Sequence, residues 1–221
     1  MNSPVFSTTA VSTQAKNKLI RNTYTLLSIT LFFSAITAGI SMTLNLGFMA
    51  NMVAFIGSIV LIWFVLPRTA NSAAGIAVVF GITGLLGLGL GPLLNHYLAL
   101  PNGSQIVMTA MGGTGAIFLG LSGYALTSKK DFSFMGGFLM AGLIVVLLAA
   151  VANIFMEIPA VSLAISGAIV LLMSGMILFD TSRIANGGET NYIMATVSLY
   201  LNIYNLFTAL LHLLGAFSGD D

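Results

Sequence analysis

Cysteine is absent from the 221 residues. That excludes a disulfide framework, a thiolate zinc site and a cysteine nucleophile. Charge is scarce: seven Lys and Arg with six Asp and Glu make 6% of the chain, against about 25% in a soluble domain. So few charges cannot cover a water-facing surface. The formal net charge of +1 leaves no basic patch for a polyanion, so nucleic acid is not a partner. The two histidines have no H-E-x-x-H or similar spacing, so no metal site is expected. No G-x-S-x-G with a nearby base is present either. Neither an enzyme nor a bound cofactor is expected.

What is abundant is apolar. Hydrophobic residues make up 57% of the chain and mean hydropathy is +1.02. These values point to an integral membrane protein whose partner is lipid. A helix needs about 20 apolar residues to cross the hydrocarbon. Seven such runs are present, near 23–45, 47–66, 73–94, 104–127, 132–155, 158–180 and 191–216. A β-barrel would show short alternating strands, whereas Gly137 to Val151 is continuously apolar. The fold class is therefore all-α, with a seven-helix transmembrane domain over 23–217 and a short tail at 218–221. Residues 1–22 are polar and carry Lys16, Lys18 and Arg21. They read as a flexible tail. The apolar run behind them is too long for a signal peptide.

The basic residues orient the bundle. They fall in the tail, at Arg68, at Lys129 and Lys130, and at Arg183. With seven spans, all seven lie on one side, which by the positive-inside rule is the cytoplasm. Random placement would do this roughly once in a hundred times, and one span more or fewer would scramble the pattern. The C-terminus then lies on the far side.

Within the spans, glycine marks close packing. Gly84, Gly87 and Gly91 are spaced so that neighbouring backbones can approach, and Pro92 is placed to kink or end span three. A phosphate loop is excluded there, because no strand precedes the glycines and no Lys-Ser/Thr follows.

Ionisable groups in spans are functional hypotheses by default. Asp180 stands at the end of span six, where dehydration and the negative helix terminus oppose its charge. Arg183, three residues on, would favour it. The residue reads either as an interfacial Asp paired with Arg183 or as a functional group. Span seven carries Asn191, Ser198, Asn202, Asn205 and His212 on one stripe of a 3.6-residue helix, with Ala195 and Ala209 between them. Such a stripe belongs inside the bundle. It reads as interhelical hydrogen bonding, worth about 0.6 kcal/mol per contact, or as an ion or proton path. His96 is expected in an outer loop.

Several blocks carry a family likeness. They are Ile20–Leu27, Thr83–Asn95, Leu126–Ser133, Ile177–Thr181, Gly187–Ile193 and Ala195–Phe207. In order and content the chain resembles the Bax inhibitor family, and within it the bacterial inner-membrane branch. The resemblance implies two groups of three helices around a central seventh. It also implies a partner, the membrane-embedded ATP-dependent protease FtsH, which the chain would modulate and which would also degrade it. The tail, with Lys16, Lys18 and Arg21, would then be the handle for the protease. At about 3.3 Å per residue it could extend roughly 70 Å, while the bundle resists extraction. Other relatives imply an alternative, a pH-sensitive calcium leak with two aspartates. Asp180 matches the first, but Asn202 stands where the second would be. Asn cannot titrate, so the candidates for pH sensing or an ion path are Asp180 with Asn202, Asn205, His212 and Arg183.

Overall fold

The computed structural model describes residues 13–128 and 130–218. Lys129, the first twelve residues and 219–221 lie outside the described residues. Seven helices are long and apolar enough to cross a membrane, which is the number expected from the hydropathy pattern. They are α1 Thr13–Thr43, α2 Phe48–Val60 with its continuation to Thr69, α3 Ala74–Leu98, α4 Gly103–Ser128, α5 Gly136–Met156, α6 Pro159–Asn186 and α7 Tyr192–Phe217. Among the described residues there are no strands.

Several helices run further than expected, α1 and α6 by the most. α1 begins at Thr13, so the expected tail is already helical from there. Gln14, Ala15, Lys16, Lys18 and Leu19 favour helix, and Leu19 and Ile20 pack against the core. α6 runs on to Asn186 and stops at Gly187, whose φ of 82° is the left-handed conformation that glycine adopts without strain. Asp180 therefore lies more than a turn inside α6, and the opposition expected from the helix terminus is weak there.

Proline shapes two helices without ending them. In α2, Pro67 has no N–H to donate to the Trp63 carbonyl. The preceding turn, Leu61–Val65, widens to a π-turn in which the Leu66 N–H bonds the Leu61 carbonyl. In α3, Pro92 sits inside a helix that continues to Leu98. Its missing N–H frees the Leu88 carbonyl, and the Ser41 hydroxyl of α1 donates to that oxygen at 2.7 Å. His96, expected in a loop, is in the last turn of α3.

Packing follows the small residues. α1 lies along α3, and α2 on the other flank of α3; α4 and α5 both pack on α6. α7 touches α1, α3, α4 and α6. Its apolar window is 44% buried, against 11% for α5, which presents most of its surface outward. The seam between α1 and α3 is built from Gly84, Gly87 and Gly91 facing Phe33, Ser34, Thr37 and Ser41. A Cβ at Gly87 would fall on the Thr37 hydroxyl and the Ser34 carbonyl oxygen, and one at Gly91 on the Ser41 side chain.

Candidate functional site

α6 and α7 are joined end to end by a short turn, which brings Asp180 opposite Ser198 and Asn202. Their spacing of four residues puts both donors on one face of α7. The Ser198 hydroxyl donates to Asp180 Oδ2 at 2.5 Å and the Asn202 amide donates to the same oxygen at 2.8 Å. Asp180 is 7% exposed and Asn202 5%. A cavity of about 30 Å³ adjoins the cluster, bordered by Asp180, Arg183, Ile184, Glu189, Ala195 and Ser198. That is room for about one water. The cluster can hold a proton or a water between two helices, and it latches α6 to α7.

Arg183 borders the same cavity, but its side chain is paired with other groups. Its guanidinium is 3.8 Å from Glu189, donates to the Gly188 carbonyl at 3.2 Å and lies over the Phe179 ring. The Asp180–Arg183 pairing considered from the sequence is not formed. The left-handed turn at Gly187 folds Glu189 back toward Arg183, and the Gly188 N–H bonds the Arg183 carbonyl at 2.8 Å.

The other stripe residues separate. Asn205 is exposed and donates to its own helix at Leu201 O, 2.8 Å away. His212 Nδ1 is 2.9 Å from the Ser166 hydroxyl, roughly 20 Å along α7 from Ser198 at about 1.5 Å per residue. It borders an open cleft of about 680 Å³ with Asn153, Glu157 and Ser162. Buried Leu206, Ala209 and Leu211 fill the stretch of α7 between Asn202 and His212. Asn191 is the N-cap of α7, accepting from the Ile193 and Met194 N–H groups. Its amide donates to the Ala70 carbonyl at 3.0 Å and to Asn71 at 2.8 Å.

Residues not singled out from the sequence complete the polar layer. Buried Tyr200 of α7 shares a hydrogen bond of 2.6 Å with Ser34 of α1 and donates to the Thr83 carbonyl of α3 at 3.3 Å. Thr181 lies within hydrogen-bonding distance of Tyr24 and of Ser122, and the Thr196 hydroxyl, which donates to the Tyr192 carbonyl of its own helix at 2.7 Å, lies 3.3 Å from the Thr23 carbonyl of α1. The readable signal was on α1, where Thr30, Ser34, Thr37 and Ser41 recur at helical spacing and mark a face that meets other helices.

The basic end is tied together as well. The Lys16 ammonium donates to the Asn186 carbonyl at 3.3 Å, at the negative end of α6. Lys18 and Arg21 lie on exposed positions of α1. Ser182 and Asn186 of α6 donate to the Lys130 carbonyl, and the Phe132 N–H donates to Ser182. Among the described residues, no cluster of three or more His, Asp or Glu could hold a metal ion.

Comparison with known proteins places this arrangement. The family model described as Inhibitor of apoptosis-promoting Bax1 matches residues 16–219. An uncharacterized membrane protein of Vibrio cholerae is 50% identical over the full length of both chains. A protein of Escherichia coli K12 named Modulator of FtsH protease YccA is 52% identical over 207 residues, 92% of each chain. A Pseudomonas aeruginosa protein is 47% identical over 92% of this chain and 91% of its own. The matched span takes in all seven helices and the Asp180 cluster, and the chain belongs to the Bax inhibitor family.

Proposed function

We propose that this chain is a bacterial inner-membrane protein, N-terminus cytoplasmic, that binds the FtsH protease and slows its degradation of other membrane proteins. The observation that carries the reading is its identity, over nearly its whole length, to a relative named as a modulator of that protease. The order of Lys and Arg along the seven spans of the sequence, all in segments that fall on one side, supports the orientation.

The mechanism follows from what a pulling enzyme would meet. The N-terminal segment offers a handle, but from Thr13 onward the chain is helix docked on the bundle. Leu19 and Ile20 pack on the core, Lys16 holds the end of α6, and Thr23 is buried against Thr196 of α7. Extraction must break these contacts, and then the α1–α3 seam, before it gains chain. A substrate that engages readily and yields slowly occupies the enzyme. The test is co-purification with FtsH from native membranes, comparing the full chain with one lacking residues 2–12, which leaves α1 intact. The reading expects recovery of the full chain and reduced recovery of the truncated one. Absence of both from the FtsH fraction would overturn it.

A second reading rests on Asp180. A carboxyl group buried between α6 and α7 on two donors suits a pH-sensitive cation leak. Calcium flux into liposomes across pH tests it, with Asp180→Asn expected to abolish the pH dependence and to leave FtsH recovery unchanged. Flux that is absent at every pH, or identical in the variant, would sink this reading.

A further inference from the structure

We propose that the cleft between α1 and α4 holds one acyl chain of a membrane phospholipid, as a site distinct from the Asp180 cluster. α1 and α4 flank the space, and residues of α3 and α7 close it behind. The space has a volume of about 440 Å³. Its walls include Ala38 and Gly39 of α1, Leu90 of α3, Gly115 of α4, and Ile203 and Phe207 of α7. A Cβ built on Gly39 or on Gly115 meets nothing within 4 Å. Small residues on both flanks thus keep open a gap that larger side chains would close.

Size, polarity and position select the occupant. A cavity of about 150 Å³ takes one benzene, so this cleft has room for on the order of 15–20 carbon atoms, one alkyl chain. A helix of about 10 Å diameter fills on the order of 400 Å³ in each 5.4 Å turn, so no transmembrane segment of a partner fits. No charged side chain lines the cleft. The Ser34 hydroxyl on its wall is already engaged by Tyr200 and the Thr114 hydroxyl by the Ala110 carbonyl, and with no cationic side chain on the walls a phosphate headgroup meets no counter-charge there and stays at the surface.

The cleft is continuous with the lipid-facing surface. Phe32 and Ile36 on α1, and Met108 and Met111 on α4, are 71%, 46%, 66% and 61% exposed beside it. An alkyl chain left out would strip the walls of dispersion contacts on one side. The α1 residues of the cleft lie toward the C-terminal end of that helix and the α4 residues toward its N-terminal end. Both are the ends away from the basic residues, so the chain comes from that leaflet.

The test uses the full chain in vesicles of phosphatidylethanolamine and phosphatidylglycerol, with a trace of phosphatidylethanolamine carrying a diazirine midway along one acyl chain. After photolysis, cross-links are mapped by mass spectrometry. The proposal expects them to concentrate on 35–42 and 107–115, several-fold above the exposed face of α5 at Leu147, Leu148 and Phe155. Gly115→Phe and Gly39→Phe should each remove the cleft cross-links and leave those on α5 unchanged. Thermal unfolding identifies a variant that fails to fold, and the other variant then decides. Cross-links spread in proportion to exposed surface would overturn the proposal, as would cleft cross-links that survive both substitutions. The chain has no cysteine, so Gly115→Cys supplies one thiol. A disulfide-linked dimer formed through it in these vesicles would overturn the lipid in favour of a second copy.

Discussion

Gly87→Ala tests the seam that holds the bundle closed. The added Cβ would coincide with the Thr37 hydroxyl and the Ser34 carbonyl oxygen and would lie 2.8 Å from the Ser34 hydroxyl. Thr37 can rotate, but the Ser34 carbonyl is backbone in the middle of a 31-residue helix. Relief requires α1 to move away from α3. That movement loosens the contacts at Gly84 and Gly91 and strains the 2.6 Å bond between Ser34 and Tyr200. Overpacking of this kind costs about 1–3 kcal/mol, and a lost interhelical hydrogen bond adds about 0.6 kcal/mol. Alanine regains up to about 1 kcal/mol of helix propensity, leaving a net loss of about 1–3 kcal/mol. At about 2–4 °C per kcal/mol for a chain of this length, thermal unfolding in mild detergent should fall by roughly 5 °C. Gly112→Ala is the control, because a Cβ there meets nothing within 4 Å; it should match or exceed the parent. If Gly87→Ala unfolds at the parent temperature, α1 and α3 do not make this contact and the packing argument fails.

Four further outcomes follow from the same contacts. Asp180→Asn keeps an oxygen that accepts from Ser198 and Asn202, so its unfolding temperature should stay near the parent; Asp180→Leu strands both donors and should cost about 1–3 kcal/mol. Ser41→Ala leaves the Leu88 carbonyl opposite Pro92 without its partner, and thermal unfolding should report a loss of about 1 kcal/mol. Asn191→Ala removes the α7 cap and the bond to Ala70; a loss of about 1 kcal/mol or more is expected, with faster amide exchange at Ile193 and Met194. Asp131 accepts hydrogen bonds from Ser133, side chain first and backbone second, which hold its carboxyl below the usual carboxylate range. Its contribution is present above the unfolded-state value and is lost only as pH falls through that lower folded-state value. The unfolding temperatures of Asp131→Asn and the parent should therefore differ by the same amount at pH 8 and at pH 5.

The spans were readable because hydropathy over twenty residues is a one-dimensional property. Polarity inside otherwise apolar helices marked Asp180 and Asn202 one by one, but it was the family resemblance, with paired positions in spans six and seven, that put the two together. The ion-pair partner of Arg183 is not legible along α6, because it depends on the left-handed turn at Gly187, a three-dimensional reversal that spacing along the helix does not encode. Asn205 shares the stripe on a helical wheel, yet its amide reaches its own backbone first. The start of α1 is hidden by the polarity of its first turns, although Lys16 and Lys18 favour helix and Leu19 and Ile20 supply a face that packs on the core. Tyr200 hid among many aromatics; its partner Ser34 lies 166 residues away.

The central claim concerns proteolysis, and purified FtsH reconstituted with a membrane client and ATP tests it directly. Client degradation should slow as the full chain is added to the vesicles, and should slow less when residues 2–12 are missing. A client half-life unchanged by the full chain, at amounts matching the protease, would contradict the account.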